Sequence, residues 1–261
     1  MRKSFPGKEA GFPFSVPSLA SLTAIRFESP VTFLVGENGS GKSTFLEALA
    51  AAAGSIAVGS SDVGSDETLS AARNVARHLK LAWKRRTHRG FFLRAEDFFG
   101  YAKRMAQIRA EMEAEIAAVD REYEGRSDYA KGLAKMPYAG SLHALRQRYG
   151  EGGLDAQSHG ESFLALFQSR FVPDGLYLLD EPEAPLSPLR QVGFLSLLKE
   201  MVGQNAQFII ATHSPILMAF PDATILSFDQ TPVGPVAWEE LEHVSVTRSF
   251  LNAPEAYLRH L

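Results

Sequence analysis

The sequence predicts an α/β fold with a mostly parallel central sheet flanked by helices. Three observations support this fold class. Apolar runs rich in Val, Ile, Leu and Phe indicate buried strands, segments rich in helix formers lie between them, and glycine or proline bounds most of the runs. Strands that alternate with helices are typical of a parallel sheet covered on both sides. The four clearest strand-like runs occupy residues 31–36, 175–180, 206–212 and 223–228.

The remaining elements follow from local patterns along the chain. The predicted helices cover residues 42–54, 69–84, 101–124 and 187–203. Residues 90–99 predict a strand that turns into the next helix, and glycines between residues 125 and 153 predict that this region is broken into short pieces. We therefore expect a single domain over residues 1–261, with a small helical subdomain at approximately residues 98–170.

Composition narrows the class of protein. The chain has 261 residues, is 45% hydrophobic and contains no cysteine, which excludes disulfides, thiolate nucleophiles and cysteine-based metal sites. The N-terminus lacks the apolar core of a signal peptide, and no run of about 18 apolar residues predicts a membrane span. We expect a cytoplasmic protein without membrane insertion.

A glycine-rich stretch, GENGSGKS, follows the first predicted strand and precedes the first long helix. Small residues at this junction let backbone N–H groups close around phosphate oxygens, and the helix N-terminus adds partial positive charge. Lys42 would reach the β- and γ-phosphates, and Ser43 would bind Mg²⁺. The alternative is an ordinary glycine-rich turn, which the strand and helix on either side disfavour. The predicted nucleotide-binding residues here are Glu37, Asn38, Gly39, Ser40, Gly41, Lys42, Ser43 and Thr44.

Two acids and a histidine end later strands. Asp180 and Glu181 close one apolar run, and His213 closes the next, 32 residues after Glu181. Because ligands of open α/β sheets bind at the carboxyl ends of strands, all three would face one crevice. Asp180 would lie beside Mg²⁺, Glu181 would polarise the attacking water, and His213 would bind the γ-phosphate or that water. An isolated acidic pair would indicate only a strand end in solvent, and a lone histidine a loop anchor.

The order of four motifs, GENGSGKST, SHGES, YLLDEPEAPLSP and ATHSP, resembles the ATP-binding-cassette (ABC) class of P-loop ATPases. It is most similar to the branch related to SMC and double-strand-break repair ATPases, and to small stand-alone bacterial ATPases that carry the AAA label. The resemblance runs from about Phe12 to the C-terminus. His159 and Glu161 replace the usual glycine and glutamine of the family signature, and EAPLSP replaces the transporter-like sequence after the acidic pair.

The resemblance implies a P-loop NTPase fold of ABC type that binds ATP with Mg²⁺ and hydrolyses ATP to ADP and phosphate. Lys42, Glu181 and His213 would be catalytic, while Ser43 and Asp180 would bind the metal. Ser158 and Gly160 would touch the γ-phosphate bound to a second copy of the chain, so that ATP binding produces a homodimer. Ser158 as a plain helix N-cap, with Glu161 completing a capping box, is the alternative.

A basic block runs from Arg73 to Arg109, where only Glu96 and Asp97 oppose eleven Lys or Arg side chains. Clustered positive charge attracts nucleic-acid phosphates, so DNA is one candidate partner. A solvated helix face paired with the acids that follow is the other interpretation, and both stay open. Mechanical work on DNA or on an unidentified protein partner would be the output.

Three rival functions remain at this stage. A nucleotide-binding subunit of an ABC transporter would associate with a membrane protein. A P-loop small-molecule kinase would transfer phosphate without dimerising, and SHGES and ATHSP argue against it. An interaction module that uses ATP as a switch would show very low turnover. ABC-type ATPases also carry a glutamine in a lid loop near the nucleotide. The best positional candidate for that residue in this chain is Glu96, and Gln107 is a weaker one.

Overall fold

A computed structural model describes residue 6 and residues 8–58, 70–149 and 159–259. The chain divides into two compact units. One comprises Met1–Ala95 and Val172–Leu261, and the other comprises Glu96–Phe171.

The described strands form one six-stranded sheet, in the first unit. In chain order they are β1 (Val31–Val35), β2 (Gly90–Arg94), β3 (Leu176–Asp180), β4 (Gln207–Ala211), β5 (Thr224–Ser227) and β6 (Gly234–Pro235). Their order across the sheet is β2-β3-β4-β1-β5-β6, and only β6 runs antiparallel to its neighbour. The predicted mostly parallel α/β sheet is confirmed.

The strand register brings the carboxyl ends of the central strands to one edge. Asp180 of β3 pairs with Ala211 of β4, and Leu34 of β1 pairs with the same Ala211. The loops that follow β1, β3 and β4 therefore begin at the same edge of the sheet. Ligands of open α/β sheets bind at this edge.

The described helices cover both units. They are α1 (Pro17–Ala20), α2 (Lys42–Ala53), α3 (Ser70–Ala76), α4 (Ala95–Glu122), α5 (Asp128–Tyr149), α6 (His159–Arg170), α7 (Pro188–Gly203), α8 (Pro215–Met218), α9 (Glu242–Asn252) and α10 (Pro254–Leu258), with short 3₁₀ turns at Lys8–Ala10 and Trp238–Glu240. Among these described helices, none combines the length and the hydropathy that a bilayer span requires.

The core of the first unit lies between the sheet and α2. Leu34, Leu178 and Ile209 project from three neighbouring strands and cluster with Phe45 and Leu46 of α2. Every residue of β1 and β3 is buried, which matches their uninterrupted apolar sequences.

The predicted helix over residues 69–84 is wrong in its second half. Helix α3 ends at Ala76, and residues 79–89 are not helical. From Leu79 to Lys84 the side chains alternate between half-buried and exposed, and Leu81 and Trp83 pack against the core. A period of two is the signature of extended chain, whereas a helix would bury every third or fourth residue.

The prediction that glycines break the region after residue 125 holds at Gly125, which lies between α4 and α5, but is wrong for residues 128–149. Gly150, Gly152 and Gly153 lie outside the described residues. Helix α5 continues for 22 residues through Gly132, Pro137 and Gly140. Glycine in a helix interior costs about 1 kcal/mol relative to alanine, which packing can offset. In this second unit the aromatic rings of Phe98 and Phe163 meet edge-to-face at 4.6 Å.

Candidate nucleotide site

The glycine-rich loop lies between β1 and α2. Gly36, Gly39 and Gly41 have φ values of 144°, 83° and 96°, in the region that favours glycine. A Cβ on Gly36 would lie 2.8 Å from Asp229 Oδ1, and one on Gly41 would lie 2.9 Å from Ser18 Oγ. Backbone conformation and close packing therefore both require glycine at these two positions.

Lys42 begins α2 and folds back over the loop. Its Nζ donates to the carbonyl oxygens of Gly36 at 2.6 Å and Glu37 at 3.0 Å. Burial lowers the pKa of Lys42, against the opposing effect of acids led by Asp229 and Asp180. The ammonium group thus lies over the bend of the loop. A phosphate bound there would accept its hydrogen bonds in place of the two carbonyl oxygens.

Ser43 joins the loop to the end of β3. Its hydroxyl donates to Asp180 Oδ1 at 3.2 Å across 137 residues of sequence. Asp180 is 8% exposed, and burial chiefly raises its pKa to about 7, with the Ser43 bond acting in the opposite direction. This pair is the hydroxyl-plus-carboxylate set that the sequence assigned to Mg²⁺.

Glu181 follows Asp180 in a left-handed backbone conformation, with φ of 49°. Its N–H donates to the carbonyl of Ala211 at 2.9 Å, which anchors the turn to β4. Non-glycine residues rarely adopt this conformation, and it is commonest where function requires a special orientation. The turn leaves the Glu181 side chain 49% exposed, while Asp180 beside it is buried.

Glu183 ties the two strand ends together, a role the sequence did not reveal. Its Oε1 accepts from Thr212 Oγ1 at 2.6 Å and from the His213 N–H at 2.7 Å. Burial raises the pKa of Glu183, and these two bonds oppose that rise. The acidic segment after β3 and the histidine segment after β4 therefore form one connected structure.

His213 lies between Glu181 and a second histidine. Its Nε2 is 3.8 Å from Glu181 Oε1, and its Nδ1 is 3.0 Å from Nε2 of His243 in α9. Burial lowers the pKa of His213, and the positive charge of Lys42 and the presence of His243 add to that effect. The ring is therefore favoured in its neutral form.

Asp229 and Ser18 complete the support of the loop. Asp229 Oδ1 accepts from the Glu37 N–H at 2.8 Å across 192 residues of sequence, and the Ser18 hydroxyl donates to the carbonyl of Ser40. Sequence reasoning missed both residues. The signal for Asp229 was its place just after a predicted strand, the same position that pointed to Asp180 and His213.

The structure brings most predicted site residues to one edge of the sheet. Glu37, Asn38 and Gly39 are exposed on the loop, and Ser40, Gly41, Ser43 and Thr44 are half-buried behind it. Gly160 is buried in the first turn of α6, which belongs to the other unit. Ser158 lies outside the described residues, so its predicted contact with a second copy stays a prediction.

The Ser43–Asp180 pair fits Mg²⁺ by its chemistry. Both ligand atoms are oxygens, and Mg²⁺ usually binds one or two protein oxygens together with substrate phosphates. Within the described ranges there is no group of three or more His, Cys, Asp or Glu side chains that would form an all-protein metal cage. A metal at this pair would complete its coordination with water and phosphate oxygens.

The basic block is not one helix face. It runs from α3 through the extended residues 79–89 and β2 into α4. Arg85 and Arg89 pair with Asp174 at 2.8 and 3.7 Å, and the largely buried Arg94 pairs with Glu47 at 3.5 Å. Lys80, Lys84 and Arg86 are exposed in the extended segment.

A glycine loop between a strand and a helix, with a Ser–Asp pair at the carboxyl edge of a parallel sheet, defines the P-loop NTPase class. Comparison with known proteins indicates which group of P-loop NTPases the chain resembles. Residues 15–124 match a family model described as an AAA domain. Residues 161–219 match a second one, described as "AAA domain, putative AbiEii toxin, Type IV TA system".

A curated relative gives the same relation. The chain is 28% identical over 208 residues to an "Uncharacterized ABC transporter ATP-binding protein" of Haemophilus influenzae, covering 78% of this chain and 71% of that one. It is also 30% identical to the SMC head domain from Thermotoga maritima, over 33% of this chain and only 35% of that chain, with a TM-score of 0.26. A TM-score this low supports no structural inference. The chain is thus related to the ABC-type, AAA-labelled ATPases, and this relation implies nucleotide binding.

Proposed function

We propose that this chain binds Mg-ATP at the carboxyl edge of its sheet and hydrolyses it to ADP and phosphate. The observation that carries the proposal is the hydrogen bond from Ser43 to Asp180 at 3.2 Å. It joins the start of α2 to the end of β3, with Glu181 next in the chain and His213 3.8 Å from Glu181. The residues proposed to bind phosphate, to bind the metal and to act as the base therefore lie close together at one edge of the sheet.

Each side chain has a defined part in the reaction. Glu181, which is half-exposed, accepts a proton from water as the water oxygen attacks the γ-phosphorus. The bond from that phosphorus to the bridging oxygen breaks, and ADP leaves with the electron pair. Lys42 and the loop N–H groups, with that of Gly41 among them, offset the charge on the phosphate oxygens. His213 donates to the γ-phosphate or orients the water.

Ser43 and Asp180 would hold Mg²⁺ through oxygen atoms. The ion would neutralise phosphate charge when it is bound. Asp180 must lose its proton to act as a ligand, and its raised pKa makes this step favourable only above about pH 7 unless the metal drives it.

The hydrolysis test uses steady-state phosphate release together with ATP binding. Glu181→Gln is expected to lower kcat by about 100-fold or more while ATP binding is retained, because the base is lost and the loop is intact. Lys42→Ala is expected to weaken ATP binding itself. Glu200→Gln changes an exposed acid on α7 and serves as the matched control. Full turnover in Glu181→Gln would exclude Glu181 as the base.

The ATP-dependent homodimer is a further part of the proposal. Gly160 lies in the first turn of the 12-residue helix α6, and Ser158 precedes that helix. A helix N-terminus beside a hydroxyl attracts anions. This segment would contact the γ-phosphate bound to a second copy of the chain. Two ATP molecules would then lie in the dimer interface, and their hydrolysis would let the two copies separate.

Duplex DNA is the proposed partner of the basic block. The extended segment exposes Lys80, Lys84 and Arg86, while Arg85, Arg89 and Arg94 pair with acids. Three exposed cations on one segment would attract a phosphate backbone without base recognition. The output would then be mechanical, with dimer closure changing the contact with DNA.

The DNA proposal is tested by fluorescence anisotropy with a labelled duplex at two salt concentrations. Changing Lys80, Lys84 and Arg86 together to Gln is expected to weaken binding about tenfold or more and to reduce its salt dependence. The control changes Arg121, Arg126 and Lys199, which are exposed outside the block, to Gln. Equal binding by both triple variants would contradict DNA recognition by this segment.

The printed name of the Haemophilus influenzae relative favours one second candidate, the nucleotide-binding subunit of an ABC transporter. That function requires association with a membrane-embedded partner. Gel filtration of detergent-solubilised cells distinguishes the two. A chain that elutes with a defined membrane protein supports the subunit, and one that elutes alone supports the stand-alone ATPase.

A further inference from the structure

We propose that His243 is a positioning residue that donates its Nε2–H to Nδ1 of His213 and so fixes His213 with its Nε2–H pointing toward Glu181. The inference rests on the proposed ATPase function, in which His213 faces the γ-phosphate. None of the four sequence motifs includes His243, which lies in α9 after the last of them.

The geometry places the two rings in direct hydrogen-bond contact. His213 Nδ1 and His243 Nε2 are 3.0 Å apart, and the ring centroids are 5.1 Å apart with planes inclined by 55°. His213 follows β4, and His243 is in the first turn of α9. Val244, the next residue, is 2% exposed, so packing anchors that first turn.

Only one proton can lie between the two facing nitrogens. A neutral imidazole carries one N–H and one bare nitrogen. If His213 donates through Nδ1, its Nε2 is bare. If His243 donates through Nε2, the His213 Nδ1 is the acceptor and His213 carries its proton on Nε2. The identity of the donor in this one bond therefore sets the chemistry of the opposite side of the His213 ring.

The surroundings of His213 Nε2 favour the second arrangement. This atom is buried, has no hydrogen-bond partner within the described part of the chain, and lies 3.8 Å from Glu181 Oε1. A bare nitrogen would place its lone pair against a carboxylate, whereas an N–H would be attracted to it. The same N–H would be attracted to a γ-phosphate oxygen, which is also anionic.

The backbone contact of His213 does not set its ring. Glu183 Oε1 accepts from the His213 N–H at 2.7 Å and fixes the main chain only. The contact at Nδ1 is the ring hydrogen bond, and it comes from His243. Orientation of the main chain and choice of tautomer thus come from two different residues.

The direct test is the ¹⁵N chemical shift of both ring nitrogens of His213, from long-range ¹H–¹⁵N correlation spectra of histidine-labelled full-length protein. Spectra are recorded about 1.5 pH units above the ordinary histidine pKa of about 6.5, where the rings are neutral. We expect His213 to carry its proton on Nε2. His243→Glu presents only acceptor oxygens to Nδ1 and is expected to move the proton to Nδ1. A wild-type His213 protonated on Nδ1 would overturn the inference.

Turnover gives the second readout. His243→Leu removes the donor and is expected to lower kcat about tenfold, the loss expected from one hydrogen bond to the reacting phosphate. His243→Gln keeps an N–H donor at similar reach and is expected to restore kcat to within about threefold. His143→Gln, a change of an exposed histidine on α5, is the matched control. Loss of turnover in both Leu and Gln variants would show a merely structural role.

The two proposals fail in distinguishable ways. If Glu181→Gln retains full turnover, the proposed base is wrong, yet the ¹⁵N shifts still report the His213 tautomer. If the shifts place the proton on Nδ1 while Glu181→Gln is inactive, the ATPase proposal stands and the role of His243 is overturned.

Discussion

At the residue scale, Asp180 combines burial with a task that needs its charge. The side chain is 8% exposed, and burial raises its pKa to about 7. In the unfolded chain the carboxyl titrates near 3.8. At a pH between these two pKa values, the Asp180 carboxyl is protonated in the folded protein and ionised in the unfolded chain. Ionisation of Asp180 therefore lowers the stability of the metal-free protein as pH rises through this window.

The Asp180→Asn variant is expected to remove this pH dependence while it keeps an acceptor for Ser43. Relative to the variant, metal-free wild type should lose about 2–3 kcal/mol of unfolding free energy between pH 5 and pH 8, as an upper estimate from the size of the shift. Urea unfolding with a chelator present at both pH values measures the difference. The control Glu200→Gln, at an exposed site, should run parallel to wild type. Parallel curves for Asp180→Asn as well would contradict the buried-carboxyl account.

The residues that sequence reasoning found are those with a local signature. Lys42 and Ser43 stand in a spaced glycine motif, and Asp180 and Glu181 end an apolar run, so neighbouring letters were enough. Glu183 and His243 have no such signature. Glu183 contacts Thr212 and His213, and His243 contacts His213. Only the folded chain brings these residues together. Long-range pairing of this kind leaves no periodic trace in one sequence.

At the element scale, the parallel strands β1 to β5 were predictable, whereas β6 and two helical regions were not. Uninterrupted apolar runs with glycine or proline at their ends identify buried strands directly. Residues 79–84 were misread because their alternation is short and only half-buried. Helix α5 was missed because the glycines of this region predict breaks in a local view, although the helix continues through Gly132 and Gly140 in the structure. Tertiary packing decides such cases, and local propensity is a weak guide.

Helix α5 gives a prediction about stability. A Cβ added at Gly132 or Gly140 meets no atom within 4 Å, and neither residue has a positive φ. Each Gly→Ala change is expected to raise the free energy of unfolding by about 0.5–1 kcal/mol, because alanine loses less backbone entropy in a helix. Urea titration of the full chain, followed by circular dichroism, measures the change.

Gly125→Ala is the matched control for α5. The site is equally open, but its φ is +82°, which alanine rarely adopts. This variant is expected to be less stable than wild type. Stabilisation by all three changes, or by none, would show that helix propensity does not limit this segment.

At the scale of the whole molecule, two compact units carry different parts of the proposed cycle. The unit with the sheet holds the loop, the metal pair, the base and both histidines, and the helical unit holds Gly160 at the start of α6. A reaction that needs the first unit of one copy and the second unit of another would link hydrolysis to assembly. The resemblance to ABC-type ATPases implied this division, because SHGES lies where their signature segment is expected, between the glycine loop and the acidic pair.

The measurement that tests the account most directly is the solution mass of Glu181→Gln, with and without Mg-ATP, by light scattering after gel filtration. Loss of the base should trap the ATP-bound state, so we expect one chain without nucleotide and twice that mass with Mg-ATP. Ser158→Arg in the same background should abolish the doubling, because it fills the predicted γ-phosphate contact. A Glu181→Gln protein that binds Mg-ATP and keeps the mass of one chain would contradict the shared-site mechanism.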